Sequence, residues 1–219
     1  MGDGHEHGLS EIRHEKPLWW ALGLTGTFLI AEVIGGLVTN SLALLSDAAH
    51  MATDTAGLVI ALVAVRLARR PPDARRTFGY ARLEALGALA NGVLLLGVAV
   101  YILWEAVGRF REPPPVAATG MLVIAVAGLL VNLIAMRLLA AGSSESLNVK
   151  GAYLEVWADM VGSLGVLIAA ALIKVTGWLV LDPILAVLIG LWVLPRTWTL
   201  AREAINVLLE GVPHGTDLP

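Results

Sequence analysis

Six long apolar runs dominate this chain and leave few folds open to it. They extend from Pro17 to Val38, Leu42 to Leu67, Leu83 to Val107, Ala117 to Leu139, Gly151 to Ile173 and Trp178 to Leu200. Each approaches or exceeds the roughly 20 residues that a helix needs to cross about 30 Å of hydrocarbon. They are built mainly of Leu, Val, Ala, Ile and Gly, without the alternating segments of about ten residues that mark a transmembrane barrel. Hydrocarbon offers backbone amides no partners, and a helix satisfies them internally. The composition agrees: 57% of residues are hydrophobic and 15% are charged, against about half and about a quarter in soluble domains. The expected fold is an all-α membrane protein with six transmembrane helices.

The breaks between runs are short. Thr39-Asn40-Ser41 reads as a tight turn, and Lys174-Val175-Thr176-Gly177 as another. Arg69-Arg70-Pro71-Pro72-Asp73 and Arg111-Glu112-Pro113-Pro114-Pro115 stop helices, because proline lacks an amide donor. Gly142-Ser143-Ser144-Glu145-Ser146 is a polar connection. Residues 1–16 read as a cytoplasmic tail containing His5, His7 and His14, a flexible solvated segment with a weaker metal-collecting alternative. That tail lacks the basic start and cleavage site of a secretory signal, so the first span is expected to be retained. Residues 17–200 form the membrane domain, and residues 201–219 read as the start of a cytoplasmic region that is cut short.

Basic residues concentrate in cytoplasmic segments of membrane proteins. Placing both termini in the cytoplasm leaves only Arg109, Arg111 and Lys174, of 15 basic residues, on the far side. Trp19, Trp20, Trp104 and Trp178 then lie near the interfaces, where indoles anchor. The basic cluster from Arg66 to Arg82 fits the same rule and contact with anionic lipid; no element that reads nucleic acid accompanies it.

Ionisable residues inside spans are costly and are functional candidates by default. Two pairs stand out: His50 with Asp54, and Glu155 with Asp159, each with i,i+4 spacing. Residues four apart share a helix face. If spans two and five pack together, one imidazole and three carboxylates converge on a site for a divalent metal. Gly57, Gly162 and Gly165 would permit that approach. The chain has no cysteine, so the donors are nitrogen and oxygen. Such a set suits zinc and admits manganese, iron, cobalt or cadmium. The bland alternative is that these groups pair with one another or with backbone, which four residues in two matched pairs make the weaker reading.

His50-x-x-x-Asp54-x-x-Gly57 and Glu155-x-x-x-Asp159-x-x-Gly162 occupy the middle spans of two three-span halves. Three is odd, so the halves have opposite orientation, the layout of an inverted repeat. Metal binding requires deprotonated ligands and expels protons. Clustered carboxylates in an apolar setting cannot all stay ionised without the metal. A site that alternates sides would exchange a metal ion for protons.

Other polar residues have plainer readings. Asp47 either orients His50 or partners another span. Glu84 is a candidate for cytoplasmic ion entry, although pairing with nearby arginines is the simpler account. Asn91 and Asn132 read as helix–helix hydrogen-bond donors. Glu32 faces either the ion pathway or the lipid boundary.

Three segments resemble the cation diffusion facilitator family. Ser41-Leu-Ala-Leu-Leu-Ser-Asp-Ala-Ala-His50-Met-Ala-Thr-Asp54 is similar to the family's second-span signature. Arg76-Thr-Phe-Gly-Tyr80-Ala-Arg-Leu-Glu84 resembles its entry to span three, and Asn148-Val-Lys-Gly-Ala-Tyr-Leu-Glu155-Val-Trp-Ala-Asp159 its fifth span. The resemblance covers nearly the whole chain. It implies a homodimeric metal/proton antiporter that exports zinc or similar ions across a cell's inner or plasma membrane. It implies His50, Asp54 and Asp159 as transport-site ligands, the metal being cargo rather than a prosthetic group. Zinc members usually carry histidine where this chain has Glu155, and manganese members usually lack the histidine at position 50. Members usually continue into a cytoplasmic metallochaperone-like domain. A membrane-embedded metal enzyme, a passive channel and a metal sensor are the alternatives. An enzyme would need an open coordination position and an activating base, and no further convergent acid, base or nucleophile stands out.

Overall fold

The computed structural model describes residues 6–68, 82–144 and 147–209. Among them are six α-helices and no strand: α1 (Glu6–Thr39), α2 (Leu42–Ala68), α3 (Arg82–Arg111), α4 (Ala118–Ala140), α5 (Leu147–Thr176) and α6 (Leu181–Leu208). Among the described residues, α1, α3, α4, α5 and α6 are long and apolar enough to cross a membrane. α2 carries Asp47, His50 and Asp54. The helix begun at Glu6 runs through much of the expected N-terminal tail. The Arg69–Asp73 loop, the Arg76–Tyr80 stretch, His5 and the final segment from residue 210 lie outside the described residues.

The turns form where the sequence places them. Asn40 adopts the left-handed conformation, with φ 57°, and separates α1 from α2. Asparagine tolerates that region better than most residues. Gly177, with φ 71°, ends α5 and donates its amide to the Ile173 carbonyl at 2.8 Å. This is a left-handed helix stop, which glycine makes without a Cβ penalty.

Contacts divide the chain into two compact units. One comprises residues 1–48 and 105–189, the other residues 49–104 and 190–219. This division cuts across the three-helix halves expected from topology. In the first unit α4 packs against both α1 and α5. Its core joins Ala43 and Leu44 of α2, Met121 and Ala125 of α4, and Val166, Ala169, Ala170 and Ile173 of α5. A second cluster holds Ala21, Ala135, Leu139, Val149 and Val156. Alanine predominates because helices in lipid gain little from excluding water and associate through close packing. Gly128 is the tightest point on α4. A Cβ there would stand 2.6 Å from the ring of buried Phe28 and 3.1 Å from Ser163 Oγ. Beside it Asn132 Nδ2 donates to Ser163 Oγ at 3.3 Å, joining α4 to α5 as expected.

The start of α2 is held by a residue far away in sequence. Asp182, fully buried in the first turn of α6, accepts from Ser41 Oγ at 2.6 Å. It also accepts from the Leu42 amide at 2.8 Å and the Ala43 amide at 3.1 Å. Ser41 Oγ accepts from the Leu44 amide at 3.2 Å. The amides that a helix start leaves without intrahelical partners are thus satisfied. Arg109, buried near the end of α3, donates to Asn40 O at 2.7 Å and to Asn40 Oδ1 at 3.0 Å. Its guanidinium lies 3.6 Å from Asp182 Oδ2, and Nε donates to Glu105 Oε1 at 3.0 Å.

In the second unit Asn91 Nδ2 of α3 donates to the Thr53 carbonyl of α2 at 2.9 Å, also as expected. A Cβ at Gly92 would lie 3.3 Å from that of Ala201, so α3 and α6 approach closely there. Large apolar side chains point outward across the molecule. Trp19, Trp20, Trp104 and Trp178 are 65%, 69%, 71% and 58% exposed. An apolar exterior over a core of small residues is the pattern of a protein solvated by lipid.

Replacing Gly128 by leucine should lower stability by about 1–3 kcal/mol, because Phe28 is itself buried and has little room to yield. Thermal unfolding in detergent measures the loss. An unchanged melting temperature would contradict this packing.

Candidate metal centre

The two candidate pairs belong to different compact units. His50 and Asp54 lie on α2 in the second unit, with His50 Nδ1 3.4 Å from Asp54 Oδ2. The helical repeat brings them together, as their spacing requires. His50 is buried and Asp54 is half-buried. Thr53 donates its hydroxyl to the His50 carbonyl at 2.7 Å and to the Ala49 carbonyl at 3.0 Å. Asn91 accepts no part in that bond but grips the Thr53 carbonyl itself, which fixes the same turn from α3. The imidazole and carboxylate are therefore presented on a stretch of helix tied down from two directions. A neutral imidazole offers one ring nitrogen to a metal, and a carboxylate offers either oxygen.

Glu155 and Asp159 lie on α5 in the first unit, Glu155 half-buried and Asp159 buried. Asp47 of α2 stands in the same unit with 1% of its surface exposed. A Cβ at Gly162 would lie 2.6 Å from Asp47 Oδ1, so α2 and α5 touch where α5 has no side chain. Gly165 has another role: its neighbour is Leu185 of α6, at 3.3 Å from a built Cβ. Ala43 and Leu44 in the first turn of α2 share one buried cluster with Val166, Ala169, Ala170 and Ile173, further toward the C-terminal end of α5. The two helices therefore run antiparallel in this unit. Gly57 lies within α2, and neither its surroundings nor the side chain of Glu84 is among what the structure describes.

Glu32 of α1 is also 1% exposed, so it faces the protein interior and not lipid. Glu32 Oε2 and Asp47 Oδ2 are buried without a hydrogen-bond partner among the described residues. An ionised carboxylate in that position is expensive, and it gains from a cation or a proton. Asp182 and Arg109 are buried charged residues that the sequence did not single out. Their signal was faint: an Asp-Pro pair at a helix start reads as a local cap for α6, whereas Asp182 caps α2.

A lipid-facing exterior, long apolar helices and buried metal-ligating residue types together define a membrane protein that handles cations. Residues 18–209 match the cation efflux transmembrane domain. The chain belongs to this family, the cation diffusion facilitators, and is a multi-pass membrane transporter whose metal is cargo; it is not an enzyme. It is 60% identical over 218 residues to the metal cation efflux system protein CzcD of Cupriavidus metallidurans, covering 100% of this chain and 69% of that protein. It is 47% identical over 222 residues to the zinc transporter ZitB of Escherichia coli, covering 100% of this chain and 71% of the relative. A cadmium, cobalt and zinc/H(+)-K(+) antiporter of Bacillus subtilis is 42% identical over 217 residues, covering 98% of this chain and 69% of its own.

Gly162→Val should disable transport while leaving the helices intact, because its branch must displace the Asp47 carboxylate. Flux in proteoliposomes and far-ultraviolet circular dichroism, measured on one preparation, separate the two effects. Wild-type flux from the variant would show that the close approach is dispensable.

Proposed function

We propose that this protein exports divalent metal ions, zinc foremost, from the cytoplasm in exchange for protons. His50, Asp54, Glu155 and Asp159 hold the ion, with Asp47 as a supporting acid and Glu84 on the cytoplasmic approach. The observation that carries this reading is the contact of Asp47 with Gly162 between antiparallel stretches of α2 and α5. Three residues along α2 from Asp47 is His50, and three residues back along α5 from Gly162 is Asp159. Asp54 and Glu155 follow one turn further in the same directions. Each pair thus begins three residues from that contact along its own helix, and the ligand set we propose draws on both.

Zinc heads the list of ions because one imidazole with carboxylates is a borderline donor set. Relatives named for zinc transport, and one named for cadmium, cobalt and zinc, support the same range. Glu155 makes the set harder than one with two imidazoles, so manganese, iron, cobalt and cadmium remain candidate ions. Proton exchange follows from the chemistry of the ligands: the metal displaces protons from them on binding, and protons replace it on release. The Bacillus relative's name includes H(+) and K(+) as counter-ions. The distribution of basic residues favours both termini in the cytoplasm, and the efflux relatives support placement in the plasma membrane. The inverted relation of the two three-span halves supplies the means of alternating access. A homodimer is the assembly we propose.

The test is uptake into proteoliposomes across a panel of divalent ions, with and without an imposed pH gradient. Zinc flux should rise with a gradient that drives protons the opposite way. Flux indifferent to that gradient would rule out proton coupling. His50→Ala and Asp159→Ala should bring flux to the level of protein-free vesicles; normal transport by either would remove that residue from the site. Glu155→His should shift preference toward zinc over manganese, since imidazole is the softer donor. An unaltered ion profile would mean that Glu155 does not tune selectivity.

A further inference from the structure

We infer that Asp182 and Arg109 are positioning residues that set the register of α2, and through it the direction of His50 and Asp54. The inference rests on the transport reading above and goes beyond it, because neither residue is a proposed ligand.

Helix formation alone does not account for Asp182. Ser41 is a competent local cap, since its hydroxyl already accepts from the Leu44 amide. Asp182 adds three bonds from another helix, to Ser41 Oγ and to the Leu42 and Ala43 amides. Those bonds specify which residues start α2 and where that start lies relative to α6. Arg109 holds the preceding residue through both oxygens of Asn40, a planar two-point grip that lysine cannot reproduce. The turn before α2 is thus fixed from α3, and its first amides from α6.

Stability alone is also a poor account. Both charged groups are buried, Asp182 completely and Arg109 at 8% exposed. Taking such a pair out of water costs about as much as it returns, and its best-attested use is to fix register. Register matters on this helix. A slip of one residue at the start of α2 would turn everything beyond it by about 100° and shift it by about 1.5 Å. His50 and Asp54 would then leave the face on which they present a metal pair. The negative carboxylate also lies at the positive end of α2, which further favours one start position.

The experiment is zinc titration of the purified chain by calorimetry, with zinc uptake measured in proteoliposomes. Wild type is compared with Asp182→Asn, Arg109→Gln and Arg109→Lys, and His50→Ala marks the site being read. Asp182→Asn and Arg109→Gln should weaken zinc binding about tenfold, as loss of an orienting partner does at metal sites. The uptake KM should rise in parallel. Arg109→Lys keeps the charge beside Asp182 and should recover part of the affinity. Affinity and KM within about twofold of wild type in the first two variants, with only the melting temperature lowered, would confine the clasp to stability and overturn the inference. Should Asp182→Asn not fold, Ser41→Ala and Arg109→Gln decide by the same criterion. A wild-type protein that binds no zinc would overturn the transport reading. One that binds while these variants match it would overturn the clasp alone.

Discussion

Every polar group carried into hydrocarbon must find its partner within the protein, and this constraint shapes the whole molecule. Backbone amides meet it by helix formation. Side chains meet it one contact at a time. Asn132 turns to Ser163, Asn91 to a carbonyl of the neighbouring helix, and Arg109 to both oxygens of Asn40. The exterior carries indoles and aliphatic chains because no polar partner waits there. Against this background Glu32 and Asp47 stand out, because each keeps one carboxylate oxygen buried without a hydrogen-bond partner among the described residues.

The helices were legible in the sequence because length and apolar content alone decide whether a segment crosses a bilayer. Their breaks were legible too: Asn40 and Gly177 adopt the left-handed conformation that a turn of this kind demands. The pairing of His50 with Asp54 followed from helical spacing, and their separation of 3.4 Å agrees. The partner of a buried charge was not legible. Asp182 lies 141 positions from Ser41, and no periodicity connects them. Gly165 illustrates the same limit. Its small size signalled a close neighbour, but only packing shows that the neighbour is Leu185 of α6. Sequence also suggested two three-span halves, whereas contacts assemble α1, α4 and α5 into one body. A repeat records how a chain is ordered, and packing follows which faces fit, so the two need not coincide.

Small residues and buried charge serve different ends within the first unit. Gly128 and Gly162 let backbones approach, and dispersion then supplies contact energy without selecting a register very sharply. A surface of alanines can slide by a residue with little penalty. Charged groups cannot, because a displaced carboxylate or guanidinium leaves partners unsatisfied at a cost of several kcal/mol. The first unit uses both: alanines around Met121 and Val166 for closeness, and Asp182 with Arg109 for position.

That division bears on why α2 should be the helix fixed most firmly. Asp47, His50 and Asp54 oppose its transfer to lipid, so its place among its neighbours must come from specific contacts. Asp182 and Arg109 supply them at its first turn, and Asn91 supplies another past His50. On the proposed reading, the groups that make α2 costly in a membrane are also the ones a cation stabilises. Loading the site should therefore strengthen the helix, and emptying it should leave protons to neutralise what the metal no longer does.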